Sequence, residues 1–94
     1  MASLVLPSDI EAKMKRIPEW ETDGKAIERT FEFDDFGQAI DFVNAVADIA
    51  EEEGHHPDID IRWNKVRLVL STHSEGGLTE LDFDLAAKVD TLEE

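Results

Sequence analysis

The alternation of hydrophobic and polar positions predicts four β-strands arranged as two hairpins. Residues 20–22 and 25–33 alternate and are separated by an Asp-Gly turn, which is typical of a tight hairpin. Residues 59–63 and 66–70 alternate in the same way, with Asn64 in the connecting turn. Each hairpin therefore has one apolar and one polar face, and we expect only the apolar face to cover a core.

Hydrophobic residues at helical spacing predict a short helix near each end of the chain. Ser8 and Glu11 fit a capping box, which would open a helix that runs to about Arg16. Thr79 is a suitable N-cap for the last helix. The buried stripe predicted for that helix consists of Leu81, Leu85, Val89 and Leu92.

A longer helix is predicted between the hairpins, with Asp35 as its N-cap, an end near Glu53 and Gly54 as the stop. It carries two apolar stripes side by side. The first consists of Phe36, Ile40, Val43, Ala47 and Ala50, and the second of Ala39, Phe42, Val46 and Ile49. One stripe can cover the sheet. We expect the second to contact another subunit, and the alternative is a helix sunk deep in its own core.

These elements follow the order α-β-β-α-β-β-α. The sequence therefore predicts an α+β fold with a four-stranded antiparallel sheet and helices packed on one face. A chain of 94 residues is at the small end of what folds alone, so we expect one domain covering residues 1–94.

The charge of the chain narrows its possible partners. It has 23 acidic and 9 basic residues and a formal net charge of −14, which disfavours binding to nucleic acid or to anionic lipid. It has no cysteine, which excludes disulfides and thiolate chemistry. The opening MASLVLPSDIE lacks a basic region, and no apolar run is long enough to span a membrane. We therefore expect no signal peptide and a cytoplasmic location.

The three histidines, His55, His56 and His73, are the candidate chemistry of this sequence. A free imidazole has a pKa of about 6.5, so histidine exchanges protons near neutral pH. The three rings can converge if the loop before the third strand adjoins the end of the fourth. Acid–base catalysis, a three-histidine metal site, a binding site without catalysis and ordinary surface histidines all remain open on spacing alone.

A longer pattern surrounds these histidines. At fixed spacings the chain carries Glu51-x-x-x-His55-His56-Pro57, Trp63, His73 and Asp82. Together with the flanking segments Trp63-Asn64-Lys65-Val66, Leu70-Ser71-Thr72-His73 and Gly77-Leu78-Thr79, this pattern resembles the signature of the pterin-4a-carbinolamine dehydratase family. The resemblance covers nearly the whole chain.

The resemblance implies an activity and its requirements. Members of this family dehydrate 4a-hydroxytetrahydrobiopterin to the quinonoid dihydropterin, which recycles the tetrahydrobiopterin used by aromatic amino-acid hydroxylases. It implies no metal and no organic cofactor, a pterin as the substrate, and a homotetramer or homodimer. The rival functions are a binding or regulatory protein on the same scaffold, similar to dimerisation partners of a transcription factor, and a role in a related pterin or molybdopterin pathway.

The resemblance also implies roles for particular residues. The catalytic residues it implies are His55, His56 and His73; the supporting acids are Glu51 and Asp82; the substrate-binding residues are Gly54, Ser71, Thr72 and Ser74. We expect His55 and His73 to flank the reacting carbon and His56 to assist. The chain departs from the family pattern at Gly54 and Ser74, where a residue with a side chain and a glutamate are common.

Three of these positions have structural interpretations as well. Asp82 lies three residues after Thr79, where an acidic residue also suits a helix N-terminus. Glu51 belongs to a run of three glutamates and could simply be solvated. Trp63 alternates with the isoleucines of the third strand, so we expect it to pack on the sheet rather than to contact a ligand.

Overall fold

The computed structural model describes residues 3–93, and its elements follow the predicted order. The helices are α1 (Pro7–Met14), α2 (Phe36–Glu53) and α3 (Glu80–Asp90), and the strands are β1 (Glu21–Thr22), β2 (Ile27–Glu32), β3 (Asp58–Arg62) and β4 (Lys65–Leu70). Short 3₁₀ turns cover His73–Glu75 and Thr91–Glu93. In the described part of the chain, no helix is both long and apolar enough to cross a membrane.

The strands form one antiparallel sheet in the order β1-β2-β4-β3. Ile27 lies opposite Leu70 and Phe31 opposite Val66, so apolar residues of β2 and β4 share one face. The predicted α+β architecture is confirmed. Because β4 is central and β3 is an edge strand, Ile59 remains partly exposed although it shares the apolar face.

The core lies between this face and the helices. Phe31 stacks against Phe42 of α2 with ring centroids 4.6 Å apart, and Trp20 packs edge-on against Phe31 at 6.2 Å. The indole N–H of Trp20 donates to Asp90, so the ring is buried without an unpaired donor.

The two stripes of α2 have the opposite placement from the one expected. Ala39, Phe42 and Val46 are buried in the core, and Ile49 packs against it, so the second stripe covers the sheet. The interface interpretation of that stripe is wrong. The apolar residues on the exposed side of α2 come from the first stripe and are Phe36, Ile40 and Ala47, which we call the outer stripe, whereas Val43 packs against the core and Ala50 is buried.

The ends of α2 agree with the sequence. The Asp35 carboxylate accepts a hydrogen bond from the backbone N–H of Gln38 at 2.8 Å, and this cap opens the helix. Gly54 closes it with φ of 66°, a left-handed conformation that glycine adopts at little cost.

The predicted capping box of the first helix is wrong. Pro7 opens α1, Leu6 is the N-cap and makes no side-chain hydrogen bond, and Ser8 lies within the helix. Proline has no backbone N–H and a fixed φ, so it suits the first helical position and replaces the need for a side-chain cap. The helix also ends at Met14, earlier than expected.

The buried stripe of α3 is rotated from the predicted one. Leu85 and Val89 are buried as expected, but Leu81 and Leu92 are partly exposed. The buried residues of α3 are Asp82, Phe83, Leu85, Ala86 and Val89. A leucine pattern alone could not reveal this rotation, because a buried aspartate occupies part of the inward face.

Trp63 does not pack on the sheet, and this expectation is wrong. Arg62 pairs with Lys65, so Trp63 and Asn64 form the two-residue turn of the second hairpin. The turn requires a positive φ, and Trp63 supplies it with φ of 53°. Its side chain is consequently 68% exposed, at the opposite end of the strands from the histidines.

Candidate active site

Two loops meet at the end of the sheet where β3 begins and β4 ends. Asp58 opens β3 beside the last residues of β4, so the preceding and following loops are neighbours. The first loop carries His55 and His56, and the second carries Thr72 and His73. The antiparallel pairing of the second hairpin therefore brings the two parts of the histidine pattern to one end of the molecule.

Asp82, in the first turn of α3, connects both loops to this helix. Its side chain is fully buried. Oδ2 accepts hydrogen bonds from the backbone N–H of Thr79 at 2.9 Å and from the hydroxyl of Thr72 at 2.8 Å. Oδ1 lies 2.6 Å from Nε2 of His55. The capping contact and the histidine contact considered for Asp82 are thus both present in one carboxylate.

The Asp82 carboxylate defines which nitrogen of His55 is available for chemistry. An ionised carboxylate only accepts hydrogen bonds, so Nε2 is the protonated nitrogen of the neutral ring. Among residues 3–93, no group bonds to Nδ1, and the His55 side chain retains 12% exposure. His55 can therefore exchange a proton with a ligand through Nδ1 while Asp82 holds the other side of the ring.

The other two histidines are much more open. His56 contacts the Glu51 carboxylate through Nε2, and its side chain is 61% exposed. His73 begins a 3₁₀ turn with a side chain 79% exposed, and its Nε2 lies 4.0 Å from the Asp58 carboxylate. Each histidine of the pattern is thus adjacent to an acidic side chain.

The predicted substrate-binding residues have different surroundings. Gly54 ends α2 and is exposed, and Ser74 is exposed in the 3₁₀ turn. Ser71 donates its hydroxyl to the backbone oxygen of Lys25 at 2.8 Å. Thr72 is buried, and its hydroxyl donates to Asp82. Gly54 and Ser74 are therefore accessible to a ligand, whereas the Thr72 hydroxyl already has a protein acceptor.

Two of the three histidine side chains at this end of the sheet are open to solvent. A depression of about 320 Å³ lies on the polar face of the sheet, and its lining includes Glu21, Glu28 and Arg67 but none of the three histidines. Within residues 3–93, no three His, Cys, Asp or Glu side chains lie close enough together to hold a metal ion. That the protein works without metal remains a prediction.

Two features of the site were missed by sequence reasoning. Thr79 was expected only to cap α3, but its hydroxyl also lies 2.7 Å from that of Thr72 in the buried interior. Asp58 was not expected to approach His73. Neither contact has a local sequence signal, because each depends on how the loop after β4 folds back.

The comparisons with known proteins agree with the fold and the histidine pattern. The family model for pterin 4 alpha carbinolamine dehydratase matches residues 3–92. This chain belongs to that family. A relative from Acidobacterium capsulatum, provisionally named pterin-4-alpha-carbinolamine dehydratase, is 55% identical over 92 residues, which cover 98% of this chain and 99% of the relative. A second relative with that provisional name, from Gloeobacter violaceus, is 59% identical over 85 residues, which cover 86% of this chain and 92% of the relative.

Two solved structures share the architecture of this dehydratase-family chain. A protein described as a transcriptional coactivator/pterin dehydratase from Brucella melitensis has a TM-score of 0.91 at 35% identity, covering 98% of this chain and all of the other. A pterin dehydratase-like protein described as a RuBisCO assembly factor in the alpha-carboxysome has a TM-score of 0.63 at 28% identity, covering 78% and 84%. The family is established, and its members differ in described function.

Proposed function

We propose that this chain dehydrates 4a-hydroxytetrahydrobiopterin to the quinonoid dihydropterin by histidine acid–base catalysis. The observation that carries the proposal is the His55–Asp82 pair, in which a buried carboxylate holds one ring nitrogen and leaves the other for proton exchange. The His55 ring keeps some exposure, so a ligand can reach it, as proton exchange by a histidine requires.

The reaction requires one proton acceptor and one proton donor. The N5 proton leaves the substrate, the C4a–O bond breaks, and the departing hydroxyl takes up a proton to become water. We assign the base to Nδ1 of His55, because the imidazolium that forms is stabilised by the Asp82 carboxylate. We assign the acid to His73, because it lies on the neighbouring loop and its ring is open to a ligand.

The remaining residues of the pattern have supporting roles in this proposal. His56, held by Glu51 at the surface, orients the pterin or relays a proton. Gly54, Ser71 and Ser74 lie beside the histidines, where backbone amides and hydroxyls can contact the polar edge of a pterin. No step requires a metal ion, since the two imidazoles supply both proton transfers.

We also propose that the chain associates with itself as a homotetramer or homodimer in the cytoplasm. The outer stripe of α2 is an apolar surface on an otherwise acidic molecule, and Phe36 within it is half exposed. The edge strand β3 adds a second apolar surface through Ile59 and Ile61, which are also partly exposed.

The second candidate is a binding or assembly protein on the same scaffold. The description of one structural relative as a RuBisCO assembly factor favours it, since that relative shares the fold at a TM-score of 0.63. The two functions differ in whether the histidine site is needed, so variants of His55 separate them.

The proposal is tested by stopped-flow measurement of 4a-hydroxytetrahydrobiopterin decay, with the substrate generated by an aromatic amino-acid hydroxylase. We expect decay well above the spontaneous rate, and we expect treatment with a chelator to leave the rate unchanged. A rate equal to that in buffer would contradict the dehydratase assignment. Loss of activity on chelation, restored by one equivalent of metal, would contradict the metal-free mechanism.

A further inference from the structure

We propose that Thr72, whose hydroxyl accepts from Thr79, is a positioning residue that fixes the tautomer of the His55 imidazole through Asp82. The effect on turnover rests on the proposed dehydratase function. The effect on the His55 ring does not, because the protonation state of each ring nitrogen can be measured in the protein without substrate.

The hydroxyls of Thr72 and Thr79 form a chain with a single direction. Both residues are buried, with 6% and 0% exposure, and their oxygens lie 2.7 Å apart. Thr72 has one hydroxyl hydrogen and donates it to Oδ2 of Asp82 at 2.8 Å. Thr79 must therefore be the donor to Thr72. The chain runs from Thr79 to Thr72 to Asp82, and His55 donates to the same carboxylate from the other side.

This chain fixes the orientation of the Asp82 carboxylate. Oδ2 is held by the Thr72 hydroxyl and by the backbone N–H of Thr79, which leaves Oδ1 directed at Nε2 of His55. A neutral imidazole carries one N–H, so an acceptor fixed at Nε2 favours the tautomer with the lone pair on Nδ1. Without the Thr72 hydroxyl, Oδ2 keeps one of these two donors and the carboxylate can turn.

The same hydrogen bond distinguishes a positioning role for Thr72 from the substrate-binding role that the resemblance implies. A hydroxyl that is buried and already donates to Asp82 has no free hydrogen for a pterin. A positioning role predicts a loss in kcat, whereas a substrate contact predicts a rise in KM.

The tautomer is measured by ¹⁵N NMR of histidine-labelled protein at about pH 8.5, where a free imidazole is neutral. His55 is assigned by comparison with His55→Gln. We expect Nε2 to be protonated in the natural protein and in Thr72→Ser, and we expect Thr72→Val to show a mixture of both tautomers. Thr30→Val, at an exposed threonine of β2, is the matched control and should leave the spectrum unchanged. A single Nε2–H tautomer in Thr72→Val would overturn the inference.

A second variant addresses the stability of the buried site. Thr72→Val leaves the Thr79 hydroxyl without its acceptor, which can disturb folding. The double variant Thr72→Val/Thr79→Val replaces both hydroxyls with side chains of the same shape and leaves neither unpaired. It should fold and show the same mixed tautomers. Thr79→Val alone should keep the Nε2–H form, because Thr72 still donates to Asp82.

Kinetics give the independent readout. We expect Thr72→Val to lower kcat roughly tenfold with KM unchanged, as loss of an outer residue that fixes a histidine tautomer typically does, and Thr72→Ser to restore it. A rise in KM alone would make Thr72 a substrate contact and overturn the positioning role. If the natural protein showed no dehydratase activity while the tautomers still changed, the proposed function would fail and the positioning of His55 would stand.

Discussion

His55 and His73 differ in burial, and the proposed acid–base roles predict that both are needed. We expect His55→Ala and His73→Ala each to lower kcat by roughly two orders of magnitude, the usual loss for one acid–base group. If the two rings act on one reacting centre, the double variant should lose less than the product of the single losses. Steady-state kinetics of all three variants check this.

The outcome also distinguishes binding from catalysis at each ring. A single variant that raises KM and leaves kcat intact would make that histidine a binding residue. A loss in kcat of the double variant equal to the product of the two single losses would indicate that the two rings act in separate steps.

At the residue scale, the sequence predicted some contacts of the candidate site and missed others. The resemblance assigns His55 and Asp82 to one site by their spacing, and in the structure Nε2 of His55 lies 2.6 Å from Oδ1 of Asp82. The hydrogen bond between Thr72 and Thr79 could not be predicted, because it depends on the fold of the loop between them. The exposed position of Trp63 was missed because strand alternation does not show where a two-residue turn begins.

At the element scale, an ion-pair cluster joins α1 to α3. Lys13 and Arg16 contact the Glu80 carboxylate at 2.6 and 2.8 Å. The hydrogen bond from Lys13 and then that from Arg16 hold the pKa of Glu80 below its usual value of 4.5. A carboxyl group whose pKa is lowered in the folded state stabilises the protein above its unfolded pKa. That contribution is lost as the pH falls through the folded value.

The lowered pKa of Glu80 determines the expected effect of Glu80→Gln on stability. The free energy of unfolding should fall at about pH 7, by no more than about 1 kcal/mol because the groups are half exposed and screened by solvent. The difference from the natural protein should shrink as the pH is lowered from about 5 to about 3. Denaturant unfolding measures it, with Glu11→Gln on α1 as the control. A difference that stays constant with pH would mean that charge is not the cause.

The element α2 shows what helical periodicity can and cannot predict. Its N-cap and its terminal glycine were both predicted correctly, since each depends on local backbone chemistry. The stripe that faces the sheet was not predicted correctly, because two apolar stripes of similar size give no local preference. The packing of Phe42 against Phe31 of β2 decided it.

At the scale of the whole molecule, the outer stripe of α2 predicts self-association. Ile40→Glu places a charge on that stripe and should shift the mass in solution to a smaller species while the chain stays folded. Phe42→Ala is the matched core change two residues away. It should cost about 3–5 kcal/mol of stability, as expected for a buried phenylalanine.

Light scattering at micromolar concentration and moderate salt measures the mass. Subunits with a net charge of −14 repel one another, and salt screens this repulsion. We therefore expect the oligomer to weaken as the ionic strength is lowered. A monomeric natural protein would contradict the proposed association. An unchanged mass for Ile40→Glu would place the interface elsewhere.

The most direct test of the proposed mechanism is a kinetic cycle on the His55–Asp82 pair. The decay of 4a-hydroxytetrahydrobiopterin is followed with the natural protein, His55→Ala, Asp82→Asn and the double variant. An amide can accept from Thr72 and Thr79 but presents N–H groups to His55, so Asp82→Asn should favour the wrong tautomer and lower kcat by at least roughly a hundredfold. The double variant should be no slower than His55→Ala, because the carboxylate acts through that ring. Full activity of a folded Asp82→Asn variant would contradict the role assigned to the pair. So would a double variant whose loss in kcat equals the product of the two single losses.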